Sequence, residues 1–261
     1  MSIDGDGQGS VAPLTAFSAA LVALAGRDEE INPAELAHIE RVVGGSAVMA
    51  MGRDWLATHG LEALLEQLPL VLDGQQRGCL YANLVAVALA NGHLTEKDLL
   101  HRFSGALKLH ADDVSQLEDG IKVLQGRADL FRSMDDQLLF GAALMAMVAA
   151  DDETKDLETS ALATVLGNAD LAEQAHAKFE EEGMDGVMGK LMLLTRSQKT
   201  CLLANLMALM LADGEWAGSE QRLVEQFAKR MFISDADCEK MMTVVYTKFH
   251  FAVPDENEAG A

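Results

Sequence analysis

The chain contains an internal repeat, and this repeat limits the possible folds more than any other feature of the sequence. The segment FSAALVALAGRDEEINPAELAHIERVVG (17–44) aligns without gaps with FGAALMAMVAADDETKDLETSALATVLG (140–167), an offset of 123 residues. A later segment, QRGCLYANLVAVALANG (76–92), aligns with QKTCLLANLMALMLADG (198–214) at an offset of 122. Two matches in the same order predict a duplicated domain whose copies share one fold.

The repeat also predicts where the domains lie. After the second match the offset becomes 124, because Phe103 aligns with Phe227 and Asp113 with Asp237. A polar segment between the copies is the expected linker, and the polar ends of the chain are expected to be disordered tails. The predicted organisation is a tail at 1–13, a first domain at 14–125, a linker at 126–136, a second domain at 137–250 and a tail at 251–261.

Composition predicts that both copies are all-α. Ala, Leu, Met, Glu and Gln are strong helix formers and dominate the chain, whereas only 4 residues are Pro and strand-like runs are scarce. We expect two tandem copies of a helical-hairpin bundle with about seven or eight helices each. The longest apolar runs, LLFGAALMAMVAA and CLLANLMALMLA, are shorter than the roughly 20 residues of a spanning helix, so we expect buried core helices and no transmembrane segment.

The net charge of the chain limits the classes of molecule that it can bind. With 41 acidic and 20 basic residues the net charge is −21, and this field would repel nucleic acid and anionic lipid headgroups. Cations and an unidentified protein partner, either a basic surface or an amphipathic helix, fit such a surface better. The start MSIDGDGQGSVAP has neither the basic nor the apolar region of a secretory signal, so we expect a cytoplasmic protein.

Acidic residues follow the apolar helices in one recurring pattern. In three of the four turns the pattern is Asp-x-Glu, with a further Glu seven residues after the Asp. In the second copy the pattern occurs twice, as Asp151, Glu153, Glu158 and as Asp213, Glu215, Glu220. The first copy has Asp28, Glu30 and Glu35, but its second turn has Asn91 and His93, followed by Asp98 in the ungapped register or by Glu96 if the gap is placed earlier.

These carboxylates have two interpretations. If the two turns of a copy converge, six oxygen-bearing side chains would suit a hard cation such as Ca²⁺ or Mg²⁺, which would offset the repulsion between like charges. Alternatively, Glu158 and Glu220 only complement the N-terminal end of the next helix, where acidic residues stabilise by roughly 0.3–1 kcal/mol. His93 is the one histidine in a motif position, and it is the remaining candidate ligand in the first copy.

The cysteines indicate neither a disulfide framework nor a zinc site. Cys79, Cys201 and Cys238 form no CxxC pair and no Cys/His zinc spacing. We therefore expect buried free thiols.

The segments ALMAMVAADDETKDLE and LMALMLADGEWAGSEQRLVEQFAKRMFISDADCEKM, about 60 residues apart, resemble the tellurite-resistance TerB-like family. The resemblance covers most of the chain, taken as two tandem domains. It implies an all-α fold, a role in stress response and divalent-cation sites in the acidic turns. By this resemblance the cation ligands are Asp151, Glu153, Glu158, Asp213, Glu215 and Glu220. Asn91 and His93 depart from the acidic pattern of the family.

The expected function is therefore a non-enzymatic protein that binds divalent cations, a partner protein or both. One alternative is a Mg²⁺-dependent enzyme that uses the acidic cluster, and another is a scaffold whose acidic residues only cap helices. The sequence has no nucleophile elbow, phosphate-binding glycine loop or dinucleotide motif. Arg196 and Lys199 are the basic residues closest to the fourth hairpin's helix, but they lie about 20 Å from Asp213 at helical rise, which disfavours the enzyme.

Overall fold

The computed structural model describes residues 11–26, 31, 33–90, 96–149, 165–211 and 218–249. Within these ranges the chain forms helices and connections, with no strand, as the composition predicts. The described residues up to Glu118 form one compact unit, unit 1, and Asp119–Phe249 form a second, unit 2. The acidic-turn residues 27–30, 91–95, 150–164 and 212–217 and both expected tails lie mostly outside the described residues.

Five helices lie wholly in unit 1, and a sixth crosses the division between the units. They are α1 (Pro13–Ala25), α2 (Pro33–Val43), α3 (Ser46–Val71), α4 (Gly74–Ala88), α5 (Lys97–Ala106) and α6 (Ala111–Gln125). Helix α1 packs against α2, α3 and α4, and α5 packs against α3 and α4. The apolar α1 and α4 therefore form the centre of unit 1, and nearly every residue of both is buried.

Unit 2 continues with six further helices. They are α7 (Arg127–Leu130), α8 (Met134–Val148), α9 (Ala169–Leu191), α10 (Arg196–Met210), α11 (Gly218–Arg230) and α12 (Asp235–Phe249). Helix α10 packs against α7, α8, α11 and α12, and α8 packs against α9. The apolar runs in α8 and α10 are buried, as their composition predicts. The expected linker at 126–136 contains α7 and the fully buried Phe131, and the domain boundary there stays a prediction.

Local sequence signals set several helix ends. Helix α2 begins at Pro33, where proline's fixed φ suits a first turn. Capping boxes begin α4, between Asp73 and Gln76, and α10, between Thr195 and Gln198. Gly44 and Gly167 follow helical residues with φ of +82° and +67°, the left-handed geometry that ends helices.

Two glycines break long helices at corresponding places. Gly60 interrupts α3 with φ of +79°, and Gly183 interrupts α9 with φ of +63°. The two positions are 123 residues apart, which is the offset of the first sequence match. If each broken helix is counted as one, the described residues contain twelve helices, two of them kinked. The sequence predicted seven or eight helices in each copy.

Two of the three cysteines are buried free thiols, as expected. Cys79 and Cys201 lie inside α4 and α10. The expectation is wrong for Cys238, which is only half-buried. It lies in the first turn of α12, where it follows the exposed residues Ser234, Asp235 and Ala236.

Candidate functional site

Most of the predicted metal ligands lie outside the described residues. This applies to Asp151, Glu153, Glu158, Asp213 and Glu215 in the second copy, and to Asp28, Glu30 and His93 in the first. Of the predicted ligands, the structure places Glu35 and Glu220. The convergence of the acidic turns is therefore untested and stays a prediction.

Glu35 and Glu220 occupy the same local position. Each is the third residue of its helix, Glu35 in α2 and Glu220 in α11, and their side chains are only 6% and 4% exposed. The unpaired backbone N–H groups of a helix's first turn favour a carboxylate there. Each residue also takes part in at least one interaction. Both carboxylates are thus buried in the first turn of their helix.

A third buried glutamate follows the variant turn of the first copy. Glu96 is 6% exposed and immediately precedes α5, whereas Asp98, in the first turn of α5, is exposed. Glu96 also takes part in at least one interaction. Burial therefore aligns Glu96, rather than Asp98, with Glu220. Spacing alone left both registers open, because the turn of the second copy is two residues longer.

The buried glutamates do not form a complete metal site by themselves. Among the described residues, no group of three or more His, Cys, Asp or Glu side chains is placed to hold a metal ion. Any site built on Glu35, Glu96 or Glu220 would need ligands from the acidic turns next to them. Carboxylate oxygens are the ligands that Ca²⁺ and Mg²⁺ prefer.

Buried asparagines occupy matching places in α4 and α10. Asn83 Nδ2 donates to the Cys79 carbonyl over 2.9 Å in α4, and Asn205 Nδ2 donates to the Cys201 carbonyl over 2.9 Å in α10. Asn205 also donates to the Leu124 carbonyl over 3.0 Å, which joins α10 to the end of α6 within unit 2. The repeat pairs these asparagines, but the sequence alone assigns them no role.

The thiol beside Asn205 is held in its neutral form. Burial raises the pKa of Cys201 to about 12, although the Arg127 charge and the Asn205 hydrogen bond act in the opposite direction. Burial also lowers the pKa of Arg127 below its usual value. A neutral buried thiol is a poor nucleophile, so burial disfavours reaction at Cys201.

A groove of mixed polarity lies between α1, α2 and α3 of unit 1. Its volume is about 590 Å³. Its lining includes Gly26 and Ile31, the residues on either side of the segment 27–30. The other lining residues are Val22, Ala23, Leu36, Arg53 and Leu56. A groove of this composition can receive an apolar side chain.

Arg196 is held away from the acidic turn at the other end of its helix. It begins α10, and its Nη2 lies 3.5 Å from Asp237 Oδ2 in the first turn of α12. Asp213 follows the opposite end of α10 in the chain. Arg196 is therefore engaged at the end of α10 that is remote from the predicted metal ligands.

Known proteins provide no analogue from which to transfer a site. Comparisons with protein-family models, curated proteins and solved structures give no match. No helix among the described residues is long and apolar enough to cross a membrane. The class that the structure defines over the described residues is all-helical.

Proposed function

We propose that this chain is a non-enzymatic, cytoplasmic protein of two tandem TerB-like domains that binds Ca²⁺ or Mg²⁺ through its acidic turns, or a partner protein, in a stress response such as tellurite resistance. The observation that carries the cation proposal is the burial of Glu35, Glu96 and Glu220. Each follows a turn that is rich in polar or acidic side chains.

Recurring local geometry supports the two-copy arrangement. Gly60 and Gly183 break their helices 123 residues apart. Lys108 and Phe232 follow α5 and α11 with φ of +55° and +57°, and they are 124 residues apart. Left-handed backbone is uncommon for residues other than glycine, so its recurrence at the offset of the alignment favours one fold in both copies.

The burial of Glu220 is compatible with a cation beside it. A carboxylate near a helix N-terminus gains roughly 0.3–1 kcal/mol when exposed and up to ~2 kcal/mol when partly buried. Removing a carboxylate from water costs several kcal/mol unless other groups compensate for it. A divalent cation next to Glu220 would add its positive charge to the interactions that Glu220 already makes.

The alternative of a Mg²⁺-dependent enzyme has less support. Phosphate-processing chemistry needs basic side chains close to the metal to stabilise developing negative charge. Arg196, at the start of α10, contacts Asp237 there. Arg27, Lys155 and Arg222 are next to the acidic residues in the chain, so basic side chains alone do not decide between the two functions. We assign the acidic turns to binding because the sequence has no nucleophile elbow or phosphate-binding glycine loop.

Calorimetric titration of Ca²⁺ and Mg²⁺ into the full chain tests the cation proposal. We expect Glu220→Gln to weaken binding by at least tenfold, because it removes one oxygen charge from the site. Glu225→Gln is the matched control, since Glu225 is an exposed carboxylate on the same helix, and it should bind like the wild type. No binding by the wild type, or equal affinity in both variants, would leave helix capping as the role of Glu220.

The two copies should also differ in affinity. The second copy offers six acidic ligands if its turns meet, whereas the first has neutral Asn91 and His93 in one turn. We expect the double variant Asp213→Asn with Glu215→His to lose the tighter class of sites, because a hard cation gains little from imidazole. An unchanged titration curve would contradict the assignment of these residues as ligands.

A further inference from the structure

Helix α6 belongs to both units of the chain. It spans Ala111–Gln125, and the division between unit 1 and unit 2 falls inside it, between Glu118 and Asp119. Every residue of α6 is helical, and none has the positive φ that interrupts α3 at Gly60 and α9 at Gly183. By helical geometry, about four backbone hydrogen bonds join residues on opposite sides of the division. The chain therefore passes from one unit to the other along a continuous helix.

The part of α6 before the division is held by the centre of unit 1. Tyr81 lies in the middle of α4 and is only 1% exposed. Its hydroxyl donates to Glu118 Oε1 over 2.8 Å. Moving α6 away from α4 would leave a buried hydroxyl without this acceptor, which costs stability.

The part of α6 after the division is held by two helices of unit 2. Asn205 Nδ2, in the middle of α10, donates to the Leu124 carbonyl over 3.0 Å. Gly120 lies against α12, because a Cβ atom on Gly120 would be 2.6 Å from both Cγ atoms of Val244. Glycine permits this close approach of the two helices. Both α10 and α12 therefore contact residues of α6 that follow the division.

One buried apolar stripe runs along α6 through the division. Leu117, Ile121 and Leu124 are spaced by four and three residues, which places them on one face of a helix. They are 6%, 0% and 7% exposed. Leu117 is before the division and the other two leave it behind, so the buried face of α6 continues from one unit into the other.

This connection differs from that of ordinary tandem domains. Domains joined by an exposed linker usually open independently, because few contacts cross the linker. In this chain one unit could open alone only if α6 broke at the division or lost its bond to Tyr81 or to Asn205. Breaking the helix would leave backbone groups without partners and would expose part of the apolar stripe. Separate opening of the units is therefore costly.

We propose that α6 couples the two units, so that they unfold as one cooperative body and a ligand that stabilises one unit also stabilises the other. A ligand that binds the folded form of unit 2 lowers the population of every state in which unit 2 is open. Because unit 1 does not open alone, the population of its open states falls by the same factor. This coupling is independent of the cation binding proposed above, since it depends only on α6.

The buried cysteines provide one reporter in each unit. Cys79 in α4 and Cys201 in α10 are 122 residues apart, and both are fully buried. A buried thiol reacts with a maleimide only when the structure around it opens. Pulse labelling of the full chain along a urea titration, with mass spectrometry of each labelled peptide, therefore gives a separate unfolding curve for each unit.

We expect the Cys79 and Cys201 curves of the wild type to have the same midpoint. Gly141→Ala, which overpacks a contact between α8 and α9 in unit 2, should lower both midpoints equally. Asp119→Pro should separate the two curves, because proline removes a backbone N–H and its ring clashes with the Ser115 carbonyl, which breaks α6 at the division. In that background Gly141→Ala should lower only the Cys201 midpoint.

Asp119→Ala is the matched control. It removes the same exposed side chain and its 3.3 Å pair with Lys122 but keeps the helix, so its two curves should still coincide. Different midpoints in the wild type, or an effect of Gly141→Ala confined to Cys201, would overturn the coupling. Coincident curves in Asp119→Pro, or separate curves in Asp119→Ala, would overturn the role of α6. The Gly141→Ala measurement decides even if Asp119→Pro does not fold.

Discussion

Gly141 in α8 lies directly against Ala175 in α9, so closely that a Cβ atom on Gly141 would be 2.5 Å from the Ala175 Cβ. The residues at the matching places in unit 1, 123 positions earlier, are Ser18 and Gly52. There the glycine is on the other helix, and a Cβ on Gly52 would be 2.6 Å from Ser18 Oγ. Both helix pairs thus approach closely, but each uses a glycine on the opposite partner.

Gly141→Ala should destabilise unit 2. The added methyl group has no room beside Ala175, and overpacking of this kind costs about 1–3 kcal/mol. Adding Ala175→Gly should restore much of the loss, because the pair then has its glycine on the same helix as unit 1. Urea unfolding of both single variants and the double variant measures the coupling. Gly189→Ala is the control, since a Cβ there meets nothing within 4 Å. Additive losses in the double variant would contradict the close-contact explanation.

Asn205→Ala should lower the free energy of unfolding by about 1–3 kcal/mol. The substitution removes the donor to the buried Leu124 carbonyl, which is in the last turn of α6, where carbonyl groups lack a partner within their own helix. Thr200→Ala on the same helix is the comparison, because its half-exposed hydroxyl bonds only within α10 and water can replace it. Similar losses in the two variants would show that the inter-helix bond contributes little.

Tyr81 should make stability fall at alkaline pH. Its hydroxyl donates to Glu118 Oε1 over 2.8 Å. Burial, followed by the hydrogen bond and charge of Glu118, raises the pKa of Tyr81 well above its ordinary value near 10. The stability linked to the neutral phenol is therefore fully present below about pH 10 and is lost as the pH rises through the folded-state pKa.

The Tyr81→Phe variant isolates this effect. Its free energy of unfolding should fall less steeply above about pH 10 than that of the wild type, because phenylalanine has no proton to lose. Tyr246→Phe controls for the loss of an exposed tyrosine hydroxyl. Parallel pH profiles for the wild type and Tyr81→Phe would show that Tyr81 does not titrate differently in the two states.

Cys238 should be the first thiol to react in the native protein. Cys79 and Cys201 are buried, whereas Cys238 is half-buried. Its reaction with iodoacetamide should still be slower than that of a free thiol. Burial first, and then the charges of Asp235, Asp237 and Glu239, raise the pKa of Cys238 and so reduce its thiolate fraction. Asp235→Asn should speed the reaction, and mass spectrometry locates the label. Early labelling of Cys79 or Cys201 would contradict their burial.

Many features could be predicted from the sequence because they depend on neighbours a few residues away. The helical class follows from composition, and the helix start at Pro33 and the left-handed ends at Gly44 and Gly167 follow from local backbone preferences. Gly126 also ends a helix, but with φ of −70°, because α7 begins at the next residue. The burial of Leu223, Phe227 and Met231 follows from their spacing on one helix face.

Less of the candidate site than of the fold could be predicted from the sequence. The pattern identified Glu35 and Glu220, and both are buried, but it could not choose between Glu96 and Asp98. The two are only two residues apart, and turn length alone shifts the register between them. The packing of α5 against its neighbours decides which carboxylate is removed from water.

The class of elements, many of their ends and their apolar faces follow from the sequence, since these depend on local backbone preferences and on spacing along one helix. The tertiary structure was needed to show that the Gly52 and Gly141 contacts use opposite partners and that Glu96 is buried. Each of these relationships joins residues that are distant in sequence or depends on which side of a helix is covered. Local backbone preferences do not determine such distances. The packing of whole helices against one another determines them.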